Sequence, residues 1–208
     1  MTTSQVLSLN NKVINIRGTS GSGKSTLVKC LLEEFEHLPV MIQVGPWKKP
    51  KIGGYLIYPP EGSTAPPTFL VGSYETKCGG CDSMSYKGSM DDIEDLVREG
   101  VEKGYNVIFE GLVVTSVINR WRTVANDYPR RWVWMFMATP EEECHQRIVA
   151  RNGREPKRRG PRNLADYNIK FAASMNHYQR LKEEGENPIA ILSDRAGYEA
   201  LKSNLGYA

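Results

Sequence analysis

The residues Gly18-Thr19-Ser20-Gly21-Ser22-Gly23-Lys24-Ser25 fit the spacing G-x-x-x-x-G-K-S without a mismatch. Glycines at these positions let successive backbone N–H groups converge on phosphate oxygens, and a helix beginning beside them adds partial positive charge. In such a loop the lysine reaches the outer phosphates and the hydroxyl after it ligates Mg²⁺. Lys24 is therefore the expected phosphate ligand and Ser25 the expected metal ligand, with Gly18 through Thr26 as the ATP-binding run. A loop of this kind implies a nucleoside triphosphate but leaves three outcomes: transfer to an acceptor, hydrolysis coupled to motion, or a nucleotide switch.

Three further clusters bear on that choice. Val107-Ile108-Phe109-Glu110-Gly111 ends an apolar run in a single acid. At the C-terminal end of a strand in an open α/β sheet, Glu110 lies where ligands bind, able to hold a metal's water shell or to accept a proton. Between Arg147 and Arg162 stand seven Lys or Arg (Arg147, Arg151, Arg154, Lys157, Arg158, Arg159, Arg162) and one acid, Glu155. A basic segment over 147–163 suits a lid whose guanidinium groups close on a transferring phosphoryl group, and Arg147 and Arg151 are spaced one helical turn apart. Finally, Tyr74-Glu75-Thr76-Lys77-Cys78-Gly79-Gly80-Cys81-Asp82 sets a glycine pair inside C-x-x-C. One such pair, with no further cysteine or histidine at ligand spacing, is insufficient for a zinc site. Gly79 and Gly80 permit close backbone approach to a flat ligand, with Asp82 placed as base or hydrogen-bond acceptor.

The elements that must position these groups alternate between strand and helix. Val13-Ile14-Asn15-Ile16 reads as a buried strand entering the loop, followed by a helix from Thr26. Segment 39–82, rich in Gly and Pro, reads as an irregular β insertion carrying Trp47, Lys48 and several tyrosines. Ser89 and Asp92 resemble a capping box before the apolar face of Ile93, Leu96, Val97 and Val101. Strands follow at 105–109, 132–137 and 188–192, and Thr139-Pro140-Glu141-Glu142 reads as a helix cap. Leu164, Tyr167, Phe171, Met175, Tyr178 and Leu181 form the expected core stripe of a long helix. This pattern predicts one α/β domain over 1–208, a parallel sheet sandwiched by helices.

Composition adds limits. The 208 residues carry a net charge of +3, 40% hydrophobic and 25% charged residues, which is ordinary for a globular chain. No apolar window approaches a membrane span, and the N-terminus shows no basic-then-apolar signal, so the expectation is a cytoplasmic protein with reduced thiols.

The loop strand, the acid-ended strand, the run T-P-E-E-x-x-x-R-x-x-x-R and the basic lid resemble the nucleoside and nucleotide kinase group of P-loop proteins. That resemblance implies a five-stranded parallel sheet of order 2-3-1-4-5 and favours transfer over hydrolysis. Gly45-Pro46-Trp47-Lys48-Lys49-Pro50-Lys51, the run Tyr55-Leu56-Ile57-Tyr58 and G-x-Y-x-T-x-C-G-G-C-D (Gly72 to Asp82) are similar to bacteriophage 5-hydroxymethyluracil DNA kinases. The resemblance implies phosphorylation of a hydroxymethyl group on a base already in DNA, with ATP and Mg²⁺ as donor and metal. It implies Lys24, Asp82, Glu110, Arg147, Arg151 and Arg154 in catalysis, either Asp82 or Glu110 accepting the proton. Trp47, Lys48, Tyr74, Cys78, Gly79, Gly80, Cys81 and Asp82 would then meet the substrate. Lysines interleaved with aromatics suit backbone contacts and base stacking, and a base presented to an active site must leave the stack. A kinase of free nucleosides or nucleotides is the second reading, and a nucleotide-dependent DNA-binding ATPase the third.

Overall fold

The computed structural model describes residues 11–43, 50–76, 79–85, 90–153 and 164–208. Trp47, Lys48, Cys78, Ser89, Arg154 and the rest of the basic segment to residue 163 lie outside them.

Strand β1 (Val13–Arg17) is buried along its whole length and runs directly into the glycine loop, which ends at helix α1 (Lys24–Glu34). The chain continues through β2 (His37–Ile42), β3 (Lys51–Ile57), β4 (Thr68–Val71), the short α2 (Asp82–Ser85) and α3 (Met90–Glu102). Next come β5 (Asn106–Glu110), α4 (Leu112–Ser116), α5 (Ile118–Asp127) and β6 (Trp132–Met137). Helices α6 (Glu141–Asn152) and α7 (Leu164–Glu183), strand β7 (Ile189–Ile191) and α8 (Asp194–Leu205) complete it.

The seven strands among the described residues lie in one mixed sheet of order β2-β3-β4-β5-β1-β6-β7. This corrects the expected five-stranded, wholly parallel sheet. The five strands β4-β5-β1-β6-β7 are mutually parallel and, counted among themselves, run 2-3-1-4-5. Segment 39–82 is correspondingly more regular than expected: β2 and β3 extend the sheet antiparallel from β4, with one register shift between Val40 and Met41. Pro39 within β2 obscured that strand, since proline cannot donate to a ladder and is confined to edges; β2 is the edge.

Side-chain alternation divides the core between the two faces. Ile14, Ile16, Ile108, Met135 and Met137 pack with α1 and α8. Val13, Val107, Phe109, Trp134 and Phe136 pack with α3, α5 and α7. The predicted α7 stripe is shifted: Leu181 and Ser174 are buried and Tyr178 packs on the core, whereas Phe171 and Met175 are only half-buried. No helix among the described residues is long and apolar enough to cross a membrane.

Candidate active site

The glycine loop folds as its sequence requires. Gly18, Gly21 and Gly23 hold φ of 149°, 81° and 96°, and a Cβ on Gly21 would come within 2.4 Å of the Cys144 carbonyl oxygen. The loop is therefore moulded against the start of α6. Thr139 does not cap that helix as expected; its hydroxyl instead donates to the Ser22 carbonyl at 2.8 Å, tying the end of β6 to the loop. Lys24 Nζ spans the loop, donating to the Gly18 and Thr19 carbonyls at 2.8 and 2.9 Å. Burial pulls the Lys24 ammonium below its usual value, opposed by the negative charges of Glu110 and Asp82. The Thr19 hydroxyl is buried with no hydrogen-bond partner among the described residues, and Thr26 is exposed.

Pairing β1 with β5 in register, Ile16 beside Glu110, carries Glu110 to the same edge of the sheet as the loop. Alternation turns its side chain toward α1, where Ser25 Oγ donates to Glu110 Oε1 at 2.8 Å. Glu110 is 1% exposed; burial pushes its carboxyl above the usual carboxylate range, against the pull of Lys24 and the Ser25 hydrogen bond. Tyr74 is buried beside it, and its phenol is pushed well above its ordinary value by burial and by Glu110, with no bond of good hydrogen-bonding geometry to its hydroxyl.

The glycine pair of the C-x-x-C segment meets protein backbone and this carboxylate. Gly80 N–H donates to the Ser73 carbonyl at 2.7 Å and Cys81 N–H to the Glu110 carbonyl at 3.0 Å. A Cβ on Gly79 would lie 2.5 Å from the Ser73 oxygen; one on Gly80, at φ 99°, would lie 2.4 Å from Glu110 Oε1. Cys81 turns into the core, Sγ 3.4 Å from the Val71 carbonyl, and burial raises its thiol well above the usual value. Asp82 is half-buried at the start of α2; its Oδ2 accepts from Leu112 N–H at 2.7 Å, at the start of α4.

Lys24, Ser25, Asp82 and Glu110, spread over 87 positions of sequence from 24 to 110, thus share one site. A hydroxyl beside buried carboxylate oxygen is a hard-oxygen donor set that suits Mg²⁺. The left-handed glycines, the Thr19 hydroxyl and Lys24 suit a polyphosphate. Arg147 is engaged differently from a free lid residue: it pairs with Glu143 on its own helix at 2.5 Å and with Asp194 at the start of α8 at 3.0 Å. A Cβ on Gly23 would strike Asp194 Oδ1 at 2.5 Å, so this pair backs the loop. Arg151 is exposed one turn later, and its charge is felt at Lys24.

Sequence reasoning passed over Asn15, Arg17 and Asp194. The first two are polar residues at alternate places in an otherwise apolar central strand, which is the signal that singles them out. Arg17 is fully buried immediately before Gly18, its guanidinium 5.6 and 5.8 Å from the ring centres of Trp134 and Phe136, and burial pulls its pKa down to about 9.

Residues 63–192 match the family described as 5-hmdU DNA kinase. That span contains the Tyr74–Asp82 segment, Glu110 and the helices from α3 to α7, with the glycine loop lying before it. A 5-hmdU DNA kinase of Pseudomonas phage PaMx11 is 42% identical over 150 residues, 70% of this chain and 74% of the relative. One of Pseudomonas phage M6 is 32% identical over 148 residues, with the same two shares. The 5-hmdU DNA kinase 1 of Salmonella phage ViI is 28% identical over 139 residues, 66% of this chain and 58% of the relative. With more than half its length matched to the family, and a relative 42% identical over 70% of its length, this chain belongs to the 5-hmdU DNA kinases.

Proposed function

We propose that the protein transfers the γ-phosphoryl group of ATP to the hydroxymethyl oxygen of 5-hydroxymethyluracil in DNA. The observation that carries this reading is the meeting of Lys24, Ser25, Glu110 and Asp82 at one edge of the sheet in a chain of this kinase family. The loop from Gly18 to Thr26 receives the triphosphate, Lys24 neutralising charge on its outer phosphates. Ser25 and Glu110 would hold Mg²⁺, directly or through its water, and the ion would neutralise charge on the phosphates.

The two acids divide the work. The hydrogen bond from Ser25 and the nearby charge of Lys24 support a metal-side role for Glu110. Asp82 is anchored at the N-terminus of α4 while staying half-exposed, and takes the proton of the acceptor hydroxyl as its oxygen bonds to phosphorus and the bond to ADP breaks. Arg147, held by Glu143 and Asp194, stiffens the loop, and Arg151 with Arg154 and the basic residues to 163 supplies charge over the transferring group. Segment 39–82 carries the DNA contacts, with Trp47 and Lys48 falling in the sequence between β2 and β3.

Incubation with γ-labelled ATP tests the reading against duplex containing 5-hydroxymethyluracil, unmodified duplex and free nucleotides. Label on the modified duplex is expected. Label confined to free nucleotides supports the second reading instead, and phosphate release without a labelled acceptor supports a DNA-binding ATPase.

A further inference from the structure

We propose that Tyr74 is a positioning residue of the metal side of the site and not a contact of the acceptor: its buried hydroxyl is a donor held in reserve for the Glu110 carboxylate when Ser25 and Glu110 take up a divalent cation. This rests on the function proposed above, since it adds a residue to the metal-side role given there to Glu110.

The turn after β4 delivers Tyr74 to Glu110. Ser73 bridges to Gly80, and Gly80 stands so close to the Glu110 carboxylate that a Cβ on it would lie 2.4 Å from Oε1. Cys81 N–H donates to the Glu110 carbonyl at 3.0 Å, so the turn is fixed against the end of β5. Tyr74 follows Ser73 and packs its ring into the core layer beneath α1, with Leu27, Val28 and Tyr55, on the face to which the Glu110 side chain also turns. Its place there is fixed from two sides. The Tyr55 ring lies 6.2 Å away between centres, and the Tyr55 hydroxyl accepts from Tyr74 N–H at 3.4 Å. Tyr74 is 6% exposed as a result.

At the end of this ring the hydroxyl is buried with no hydrogen-bond partner among the described residues. Native folds keep few such donors, because each costs stability, and one that stands beside a binding site is explained by what the site does when occupied. Burial first and Glu110 next raise the phenol well above its ordinary value, so it keeps its proton and serves as a donor. Glu110, pushed up chiefly by burial, is drawn back by Lys24, by Ser25 and by the Tyr74 hydroxyl. The phenol is therefore within electrostatic reach of the carboxylate, yet out of line with it while Ser25 donates to Oε1. A carboxylate accepts several hydrogen bonds. When the Ser25 oxygen is drawn to a cation its hydrogen reorients, and Tyr74 is the donor placed to take over at the carboxylate. A residue that supports a ligand in this way sets metal affinity without touching the metal.

The test compares the intact protein with Tyr74→Phe, which removes the hydroxyl and keeps the ring. Mn²⁺, which takes the same kind of oxygen ligands as Mg²⁺, is titrated into an equimolar mixture of protein and the non-hydrolysable ATP analogue AMP-PNP, and water-proton relaxation reports the ion bound at the protein. Tyr74→Phe is expected to weaken Mn²⁺ binding about tenfold. Its thermal unfolding midpoint without metal is expected to be no lower than that of the unaltered protein, since the hydroxyl removed has no partner there. KM for duplex carrying 5-hydroxymethyluracil is expected to stay unchanged. Unchanged Mn²⁺ affinity overturns the proposal, and a raised KM for the modified duplex alongside it returns Tyr74 to the acceptor side. A lowered unfolding midpoint overturns it as well, because the hydroxyl would then already serve the metal-free fold. No uptake of Mn²⁺ by the unaltered protein overturns it together with the metal-side role of Glu110. Absence of label on any DNA sinks the kinase reading alone, because the relaxation titration needs no acceptor and still decides the role of Tyr74.

Discussion

At the scale of single residues the informative contrast is between Glu110 and Asp82, two acids near one lysine whose surroundings differ. Glu110 is buried, shares an oxygen with the Ser25 hydroxyl and is pushed up by desolvation; Asp82 is half-exposed and held through Leu112 N–H. A metal-side role for Glu110 predicts that Glu110→Gln raises the Mg²⁺ concentration for half-maximal transfer by about tenfold or more, as loss of a supporting ligand does. A base role for Asp82 predicts that Asp82→Asn lowers kcat by about a hundredfold or more with the Mg²⁺ dependence unchanged. Steady-state rates across a Mg²⁺ titration separate the two, and the opposite pattern exchanges the assignments.

At the scale of elements, the glycines between β4 and α2 are tightly enclosed. Gly72 at φ 114° packs on the Gly80 carbonyl carbon, Gly79 on Ser73, and Gly80 on the Glu110 carboxylate. The glycine pair reads from sequence as permitting close backbone approach to a flat ligand; in the fold, an added Cβ would meet the protein's own backbone at Gly79 and the Glu110 carboxylate at Gly80. Gly80→Ala at positive φ is expected to cost about 1–3 kcal/mol in stability. It should also displace Glu110 from Ser25, so that transfer falls further than the loss of folded protein accounts for. Denaturant unfolding and kcat measured on the same preparation check this; unchanged kcat at reduced stability would leave the turn a purely structural role.

At the scale of the whole molecule, the antiparallel strands are locked to the parallel part of the sheet by the last helix and the residues after it. Tyr207 is 4% exposed; its hydroxyl accepts from Thr68 Oγ1 at 2.9 Å and donates to the Ile57 carbonyl at 3.1 Å, joining β3 and β4 to a residue more than a hundred positions away. Phe35 meets its ring edge-on at 5.1 Å between centres. Tyr207→Phe leaves the buried Thr68 hydroxyl without this partner and is expected to cost about 1–3 kcal/mol. Thermal unfolding should show the loss while KM for ATP stays constant, since the glycine loop proposed to hold it lies at the other end of β1. A changed KM would mean that the extension and the loop are coupled.

What the sequence determined alone is what depends on short stretches of chain. The loop from Gly18 to Ser25 is legible because its glycines, lysine and serine act within one turn of backbone. The parallel strands are legible because apolar runs such as Trp132–Met137 must be covered on both faces. Glu110 is legible because an acid ending such a run falls at the edge where ligands bind. Only tertiary structure decided that seven strands share one sheet, because β2 and β3 are an edge extension whose pairing with β4 leaves a weak local signature. It alone turned Arg147 toward Asp194, set Asn15 beside Trp134 and brought Tyr74 to Glu110. Those meetings join residues tens to more than a hundred positions apart, and which side of the sheet each one faces is set by strand register and alternation, which no local motif encodes.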